Sequence, residues 1–271
     1  MTIETEKMNE RKQRMYQIDA FANAVFKGNP AAVCILDNWL DADLMQRIAA
    51  ENNLAETAFA VKRDADYEIR WFTPTTEVAL CGHATLATAH VLFNHLDFKG
   101  STIQFFSRHS GHLSVTKNGE FLTLDFPSDT IKEVNAPREI LDAFQLKPER
   151  VFQGGTDYML LFRNQQEIEQ MDPDMALLKK FKARGIIITA PGDSVDFVSR
   201  FFAPGSGVDE DPVTGSAHTT LTPFWSQKLN KKKLVAKQLS KRVGDLNCEL
   251  VDDRVKITGK AVTYLIGEIQ I

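Results

Sequence analysis

The fold of this chain is decided by the stretch WFTPTTEVALCGHAT, residues 71–85, because its arrangement returns later in the sequence. An aromatic-rich strand meets Pro74, a short loop follows, and Gly82 stands where a helix is predicted to start. The stretch FFAPGSGVDEDPVTGSAH, residues 201–218, has the same order, with Pro204 and Gly215 in the matching places. A repeated strand, loop and helix start indicates two halves of similar fold.

The hydrophobic pattern around these stretches predicts many short strands and few helices. The helix over 84–93 is apolar on nearly every face, so we expect it to be buried. The helix over 216–229 contains Pro223, which should kink or strain it. A third helix is predicted over 41–50, and strands over 15–21, 31–36, 56–62, 67–72, 103–106, 111–116, 120–126, 159–162, 185–189, 197–202, 246–251, 254–258 and 261–270.

These elements predict an α+β fold of two similar domains, residues 15–127 and 128–271. The last strand can return to the first domain, which would blur the boundary. Residues 129–150 are the best candidate for a linker that contains a helix, because two prolines interrupt them. The lysines at 231–233 are interpreted as a solvated turn after the second buried helix.

Composition excludes several classes of protein. The chain has 271 residues, 43% of them apolar and 25% charged, which is typical of a globular protein with two domains or one large one. A net charge of −4 gives no basic surface for nucleic acid. No apolar run approaches the roughly 18 residues of a membrane span. The polar first fourteen residues do not resemble a signal peptide, and three cysteines form no disulfide framework, so we expect a soluble, cytoplasmic protein.

The two predicted helix starts are candidate anion sites. Free backbone N–H groups and the helix dipole favour negative charge there, and Gly82 and Gly215 would let a ligand approach the backbone. If the halves are related by pseudo-symmetry, both starts can face one cleft, where a carboxylate or a developing enolate would fit. The alternative is that each glycine only relieves a tight turn.

Glu56 is the candidate acid/base. It lies among small and apolar residues at a strand start, where desolvation would favour its neutral form and so suit proton transfer. The alternative is a capping or exposed glutamate. His83, Asp211 and Ser216 could each position a substrate carboxylate, or could serve as helix caps, for which Ser216 is well suited.

Cys81 allows a different chemistry. A thiol at a helix start beside His83 could act as base or nucleophile, although a free cysteine is usually a small buried hydrophobic residue. The remaining histidines show no ligand spacing, and the glycine pairs match neither a dinucleotide fingerprint nor a phosphate loop. We therefore predict no metal and no cofactor.

Four motifs occur together in order along the chain. They are Asp19-Ala20-Phe21 with residues 26–33, then residues 53–59, then residues 70–85, and finally residues 211–218. Together they resemble the PhzF-like phenazine-biosynthesis proteins, which share the diaminopimelate epimerase fold. The resemblance implies two halves, each a curved, mostly antiparallel, barrel-like sheet around a central helix, with the site between them. It also implies a homodimer.

The same resemblance implies roles for individual residues. Glu56 matches the catalytic acid/base of the family, and His83, Asp211 and Ser216 match residues that surround the substrate. The epimerases of this fold use one cysteine at each helix start; Cys81 fits the first position, but residues 211–216 contain no thiol. This departure argues against two-thiol racemisation.

The sequence therefore predicts a cofactor-independent isomerase that shifts a double bond or tautomerises a small carboxylate substrate, with Glu56 as general acid and base. Gly82, His83, Asp211, Gly215 and Ser216 would bind the charged end of the substrate. Two alternatives remain: a non-catalytic binding protein for small molecules on the same scaffold, and a Cys81-dependent racemase or hydrolase.

Overall fold

The computed structural model of the protein describes residues 12–181 and 183–271. The first half contains β1 (Lys12–Ala20), β2 (Asn29–Leu36), α1 (Ala42–Asn52), β3 (Glu56–Arg63), β4 (Asp66–Phe72), β5 (Glu77–Val78), α2 (Gly82–His95), β6 (Thr102–Ser107), β7 (Gly111–Asn118) and β8 (Phe121–Pro127). It continues with β9 (Lys132–Glu133), α3 (Arg138–Ala143), β10 (Arg150–Gln153), β11 (Asp157–Leu161), α4 (Gln165–Glu169), α5 (Met175–Leu178), β12 (Gly185–Pro191) and β13 (Phe197–Ala203). A short 3-10 turn (Pro204–Ser206) leads to β14 (Val208–Asp211), α6 (Gly215–Leu229), β15 (Lys233–Gln238), β16 (Gly244–Val251), β17 (Arg254–Gly259) and β18 (Ala261–Gln270).

The two halves repeat one pattern of strand pairing. In the first half the order is β18, β1, β2, β3, β4, β6, β7, β8, and only β2/β3 and β4/β6 run parallel. In the second half the order is β9, β10, β11, β12, β13, β15, β16, β17, and only β11/β12 and β13/β15 run parallel. Strands β8 and β17 pair antiparallel and join the halves.

This arrangement confirms the α+β fold with curved, mostly antiparallel sheets. Among the described strands, neither sheet closes on itself, so both remain open. The C-terminal strand β18 pairs with β1 along its whole length. The division into domains at residue 127 stays a prediction, since β8 and β17 make one continuous sheet across it.

The repeat extends to side chains. Arg70 donates two hydrogen bonds to Glu77, both 2.7 Å long, and lies over the ring of Phe72. Arg200 does the same with Glu210 and Phe202 in the second half, where the hydrogen bonds are 2.7 and 3.0 Å long. The strand pairs Phe72/Glu77 and Phe202/Glu210 occupy matching registers. The two halves can therefore be compared residue by residue.

The central helices occupy the concave sides of the sheets. Ten of the fourteen residues of α2 are buried, as its all-round apolar pattern predicts. In α6, Pro223 does not end the helix. Proline has no N–H for the carbonyl of Thr219, and the backbone N–H of Asp129 donates to that oxygen instead, at 3.1 Å. The segment that follows β8 is thereby attached to the central helix of the second half.

Five strands are missing from the sequence prediction: β5, β9, β10, β14 and β15. Strand β15 includes Lys233, one of the lysines interpreted as a turn; it buries Leu234, Ala236 and Gln238 on one face only. Strand β10 lies at the end of the predicted linker, which does contain a helix, α3. Each strand is short and carries few apolar residues, so its own pattern is weak.

No helix in the described part of the chain is long and apolar enough to cross a membrane.

Candidate active site

A cleft of about 800 Å³ lies where the two halves meet. All six residues predicted for the site line it: Glu56, Gly82, His83, Asp211, Gly215 and Ser216. Glu56 opens β3 beside Ala31 of the parallel strand β2, so the beginnings of both strands point to this place. Helices α2 and α6 begin here as well, because each follows the short strand that ends its half's aromatic motif.

The two helix starts approach each other closely. A Cβ atom added to Gly82 would lie 3.5 Å from the Cα atom of Gly215, and the reverse distance is the same. Neither glycine has a positive φ angle, so they serve this approach and not a tight turn. The N-cap residues, Cys81 and Thr214, accept no hydrogen bond from the first turn through their side chains. The N–H groups of both first turns are therefore left without a side-chain cap.

Glu56 and His83 lie in close contact in the cleft. Oε2 of Glu56 lies 3.1 Å from Nε2 of His83, and the two side chains are 17% and 4% exposed. Oε2 accepts no other hydrogen bond from the described residues. Glu56 is thus neither a cap nor a solvated surface residue. One of its oxygens is buried beside an imidazole and could accept a proton.

Asn29 links this pair to the second half. Its Nδ2 atom lies 3.1 Å from Nδ1 of His83, 2.7 Å from Oδ1 of Asp211 and 3.0 Å from the carbonyl oxygen of Val213. The side chain is completely buried, and its Oδ1 has no partner among the described residues. Because carbonyl and carboxylate oxygens only accept here, the amide must present its NH₂ group to them.

Asp211 is half-buried, and hydrogen bonds hold both of its carboxylate oxygens. Thr214 donates its hydroxyl proton to Oδ2 at 2.5 Å, and Asn29 donates to Oδ1. Burial raises the pKa of Asp211 to about 6, with the negative charge of Glu56 adding to the effect and His83 opposing it. Gln238 completes the support, since it donates to the Asp211 carbonyl and accepts from the Thr214 N–H, each at 2.8 Å.

The pKa values of His83 and Cys81 are both raised, but for different reasons. Burial lowers the pKa of His83, but Cys81 and Glu56 outweigh it and leave that pKa well above its usual value. Burial raises the pKa of Cys81 to about 11, and the charge of Glu56 contributes. The Cys81 side chain, with Sγ 3.5 Å from Nδ1 of His83, is therefore a thiol at neutral pH.

Ser216 lines the cleft and is not an N-cap, contrary to one of the two expectations for it; Thr214 has that position. Its hydroxyl accepts a hydrogen bond from Nη2 of Arg184, at 3.1 Å. Arg184 also binds the buried carboxylate of Asp157. Ser216 therefore belongs to a cluster of polar side chains, with Arg184 and Asp157, that the sequence did not predict.

Glu56, Cys81 and His83 are the described residues that could together hold a metal ion. Their ligand atoms all lie within 4.8 Å of one another. Carboxylate, thiolate and imidazole are known zinc ligands, but binding would require the thiol to lose its proton. The prediction that the protein uses no metal and no cofactor stays a prediction.

Several residues of the site were missed by sequence reasoning: Asn29, Thr214, Gln238, Asp157 and Arg184. Asn29 and Thr214 lie inside motifs that the sequence had singled out, but only as turn and helix-start residues. A polar side chain directly after Gly28 at the start of a buried strand was the one available signal. Gln238, Asp157 and Arg184 gave none, because they belong to elements far from the motifs.

Comparison with known proteins confirms the predicted family. Residues 18–267 match the family model described as phenazine biosynthesis-like protein, PhzC-PhzF. An uncharacterized isomerase of Pseudomonas aeruginosa is 51% identical over 257 residues, which cover 94% of this chain and 98% of that protein. An uncharacterized isomerase of Halalkalibacterium halodurans is 46% identical over 260 residues, 94% of this chain and 97% of that one. These relatives confirm the predicted enzyme class, isomerase.

Solved structures confirm the fold. The crystal structure of a PhzF family protein from Enterococcus faecalis has a TM-score of 0.93 and 45% identity, and the match covers 96% of this chain and all of that one. A hydroxyproline epimerase from Agrobacterium vitis has a TM-score of 0.62 at 10% identity, over 96% of this chain and 93% of that one. The second likeness shows the shared epimerase-like fold alone.

Proposed function

This chain belongs to the phenazine biosynthesis-like protein family, PhzC-PhzF, and we propose that it moves a proton within a small carboxylate substrate, with Glu56 as general acid and base. One observation carries the proposal: the Glu56 carboxylate lies 3.1 Å from His83 in a cleft where two helices begin without side-chain caps. A base and an anion-stabilising field thus occur together, as proton abstraction beside a carboxylate requires.

The reaction would proceed in two proton transfers. Glu56 takes a proton from a carbon next to a carboxylate or an alkene, so that a C–H bond breaks and an O–H bond forms. The electron pair left on the substrate spreads into the conjugated carboxylate. The protonated Glu56 then returns the proton to another carbon, and the double bond moves without a change in composition.

The surrounding groups would stabilise the intermediate. N–H groups at the starts of α2 and α6 would face the negative charge that develops on the substrate. General acid and base catalysis contributes about 10²–10⁴-fold to the rate, so positioning in the cleft must supply the remainder.

The thiol alternative has less support. Cys81 has a pKa of about 11 because it is buried, so little thiolate exists at neutral pH. The matching N-cap of the second half is Thr214, which has no thiol. A racemase with one cysteine on each face of the substrate therefore lacks its second base.

Replacement of Glu56 by Gln tests the proposal. A panel of small unsaturated carboxylic acids would be incubated with the protein in D₂O, and deuterium at carbon would be followed by NMR. We expect the wild type to exchange or isomerise at least one acid and Glu56→Gln to lose this activity while remaining folded. Glu51→Gln, an exposed glutamate at the end of α1, is the matched control and should retain it. Equal rates for Glu56→Gln and the wild type would contradict the mechanism.

The homodimer and the cytoplasmic location stay predictions. Light scattering after size-exclusion chromatography would measure the mass of the assembly.

A further inference from the structure

The internal repeat shows which residue of the second half is equivalent to Glu56. Glu56 opens β3 and pairs with Ala31 of the parallel strand β2. In the second half Gly185 opens β12 and pairs with Asp157 of the parallel strand β11, so Gly185 takes the place of Glu56. Glycine offers no side chain there, and the residue before it, Arg184, lines the cleft instead.

We propose that Arg184 is the binding site for the substrate's carboxylate. The carboxylate would then lie on the second-half side of the cleft, and the transferable proton would lie at Glu56. Only the position of the reacting carbon rests on the proposed function; the anion site itself does not.

The guanidinium group is held in place before any ligand arrives. Asp157 accepts hydrogen bonds from Nε, at 3.0 Å, and from Nη2. Thr156 and Ser216 accept further hydrogen bonds, each 3.1 Å long. The Asp157 side chain is 2% exposed, whereas that of Arg184 is 41% exposed. A buried carboxylate thus fixes the arginine, which is itself partly exposed and lines the cleft.

Gly185 contributes to the same arrangement. A Cβ atom at this position would come within 2.1 Å of the Phe201 ring. Because Gly185 has no Cβ atom, the ring of Phe201 can lie against the start of β12. The Arg184 guanidinium lies 5.5 Å from the centre of that ring. The absent side chain therefore makes room for the aromatic surface on which the arginine rests.

The charges of the cleft favour this position for an anion. Arg184 is the one lysine or arginine among the described residues that line the cleft, while Glu56, Asp129, Asp157 and Asp211 are acidic. A substrate carboxylate placed elsewhere would approach these acids without a permanent cation beside it.

A second groove strengthens the positive field. It has a volume of about 710 Å³ and shares Gly155, Thr156 and Arg184 with the cleft. Lys179 and Lys180 line it, and none of its described lining residues is acidic. These lysines would attract an anion towards the Arg184 end of the cleft.

The test uses a matched pair of small probes, hexanoate and hexanamide, which differ in charge but hardly in shape. Their dissociation constants would be measured by NMR titration for the wild type and for Arg184→Met combined with Asp157→Asn. The second substitution removes the buried carboxylate that would otherwise be left unpaired. We expect the wild type to prefer hexanoate and the double variant to bind it about ten- to hundredfold more weakly, with hexanamide unchanged.

The control removes another arginine–aspartate pair, which lies outside the cleft. Nε of Arg254 lies 2.6 Å from Oδ1 of Asp125, and neither residue lines the cleft. Arg254→Met with Asp125→Asn should keep the preference for hexanoate, and circular dichroism and thermal unfolding would verify that both double variants are folded. A preference for hexanoate that survives in the Arg184 variant, its absence in the wild type, or tighter binding of inorganic phosphate than of hexanoate would overturn the proposal.

Glu56→Gln separates this inference from the proposed function. We expect this variant to lose turnover and to keep the preference for hexanoate. If it turns over normally while Arg184 still determines the preference, the role of Glu56 is wrong and the anion site stands.

Discussion

Asn29 and Asp211 connect the two halves of the molecule, with Nδ2 of Asn29 lying 2.7 Å from Oδ1 of Asp211 although 182 residues separate them. The same amide reaches His83 of the first half. One buried side chain therefore sets the relative position of the proposed base, its histidine and the aspartate.

Asn29→Ala should destabilise the protein and disturb the site together. The substitution removes the buried donor to Oδ1 of Asp211 and to the Val213 carbonyl, which costs about 1–3 kcal/mol of unfolding free energy. Loss of the amide donor should also raise the pKa of Asp211 further, because that hydrogen bond lowers it. Urea denaturation measures the first effect. Asn94→Ala is the control, since Asn94 donates to His90 in an exposed position, and a similar loss for both variants would contradict the special role of Asn29.

Asp211 should make the stability depend on pH. Its pKa is raised from 3.8 to about 6 by folding, so the folded state holds this proton more tightly than the unfolded state. The contribution of Asp211 to stability is therefore present below pH 3.8 and is lost as the pH rises to about 6. Relative to the wild type, Asp211→Asn should become more stable as the pH rises through this window. Thermal unfolding of both proteins between these pH values measures the difference, and a constant difference would show that Asp211 does not titrate in this way.

Cys81→Ser should leave most of the activity intact. The thiol is protonated at neutral pH, since burial raises its pKa to about 11, and no second thiol faces it. The deuterium-exchange assay measures the activity, with Glu56→Gln as the inactive reference. A loss as large as that of Glu56→Gln, in a folded protein, would instead favour a cysteine mechanism.

Gly28→Ala should be far more damaging than Gly119→Ala. Both glycines have φ angles near 60°, so alanine costs about 1–2 kcal/mol in either place. At Gly28 the new Cβ would also lie 2.1 Å from the backbone oxygen of Ala20, whereas at Gly119 it meets nothing within 4 Å. We expect an additional loss of about 1–3 kcal/mol at Gly28, measured by urea denaturation, because a backbone atom must move. Equal losses would mean that the turn before Asn29 adapts easily.

Some features of this protein follow from the sequence alone. The apolar faces of 84–93 predicted the buried helix α2, and the alternating strands around it predicted an α+β fold. The repeated motif at 71–85 and 201–218 located both helix starts, and all six predicted site residues line one cleft. Periodicity and glycine placement are local properties, so they can be recognised before the chain folds.

The relationships across the cleft were decided only by the tertiary structure. Strand β15 could not be recognised among lysines, because its burial depends on the strands on either side of it. Neither the contact between Asn29 and Asp211 nor the position of Arg184, directly before the residue equivalent to Glu56, has a local signal. Such pairings join residues far apart in sequence, and they exist only after the two sheets have folded around their helices and β8 has paired with β17.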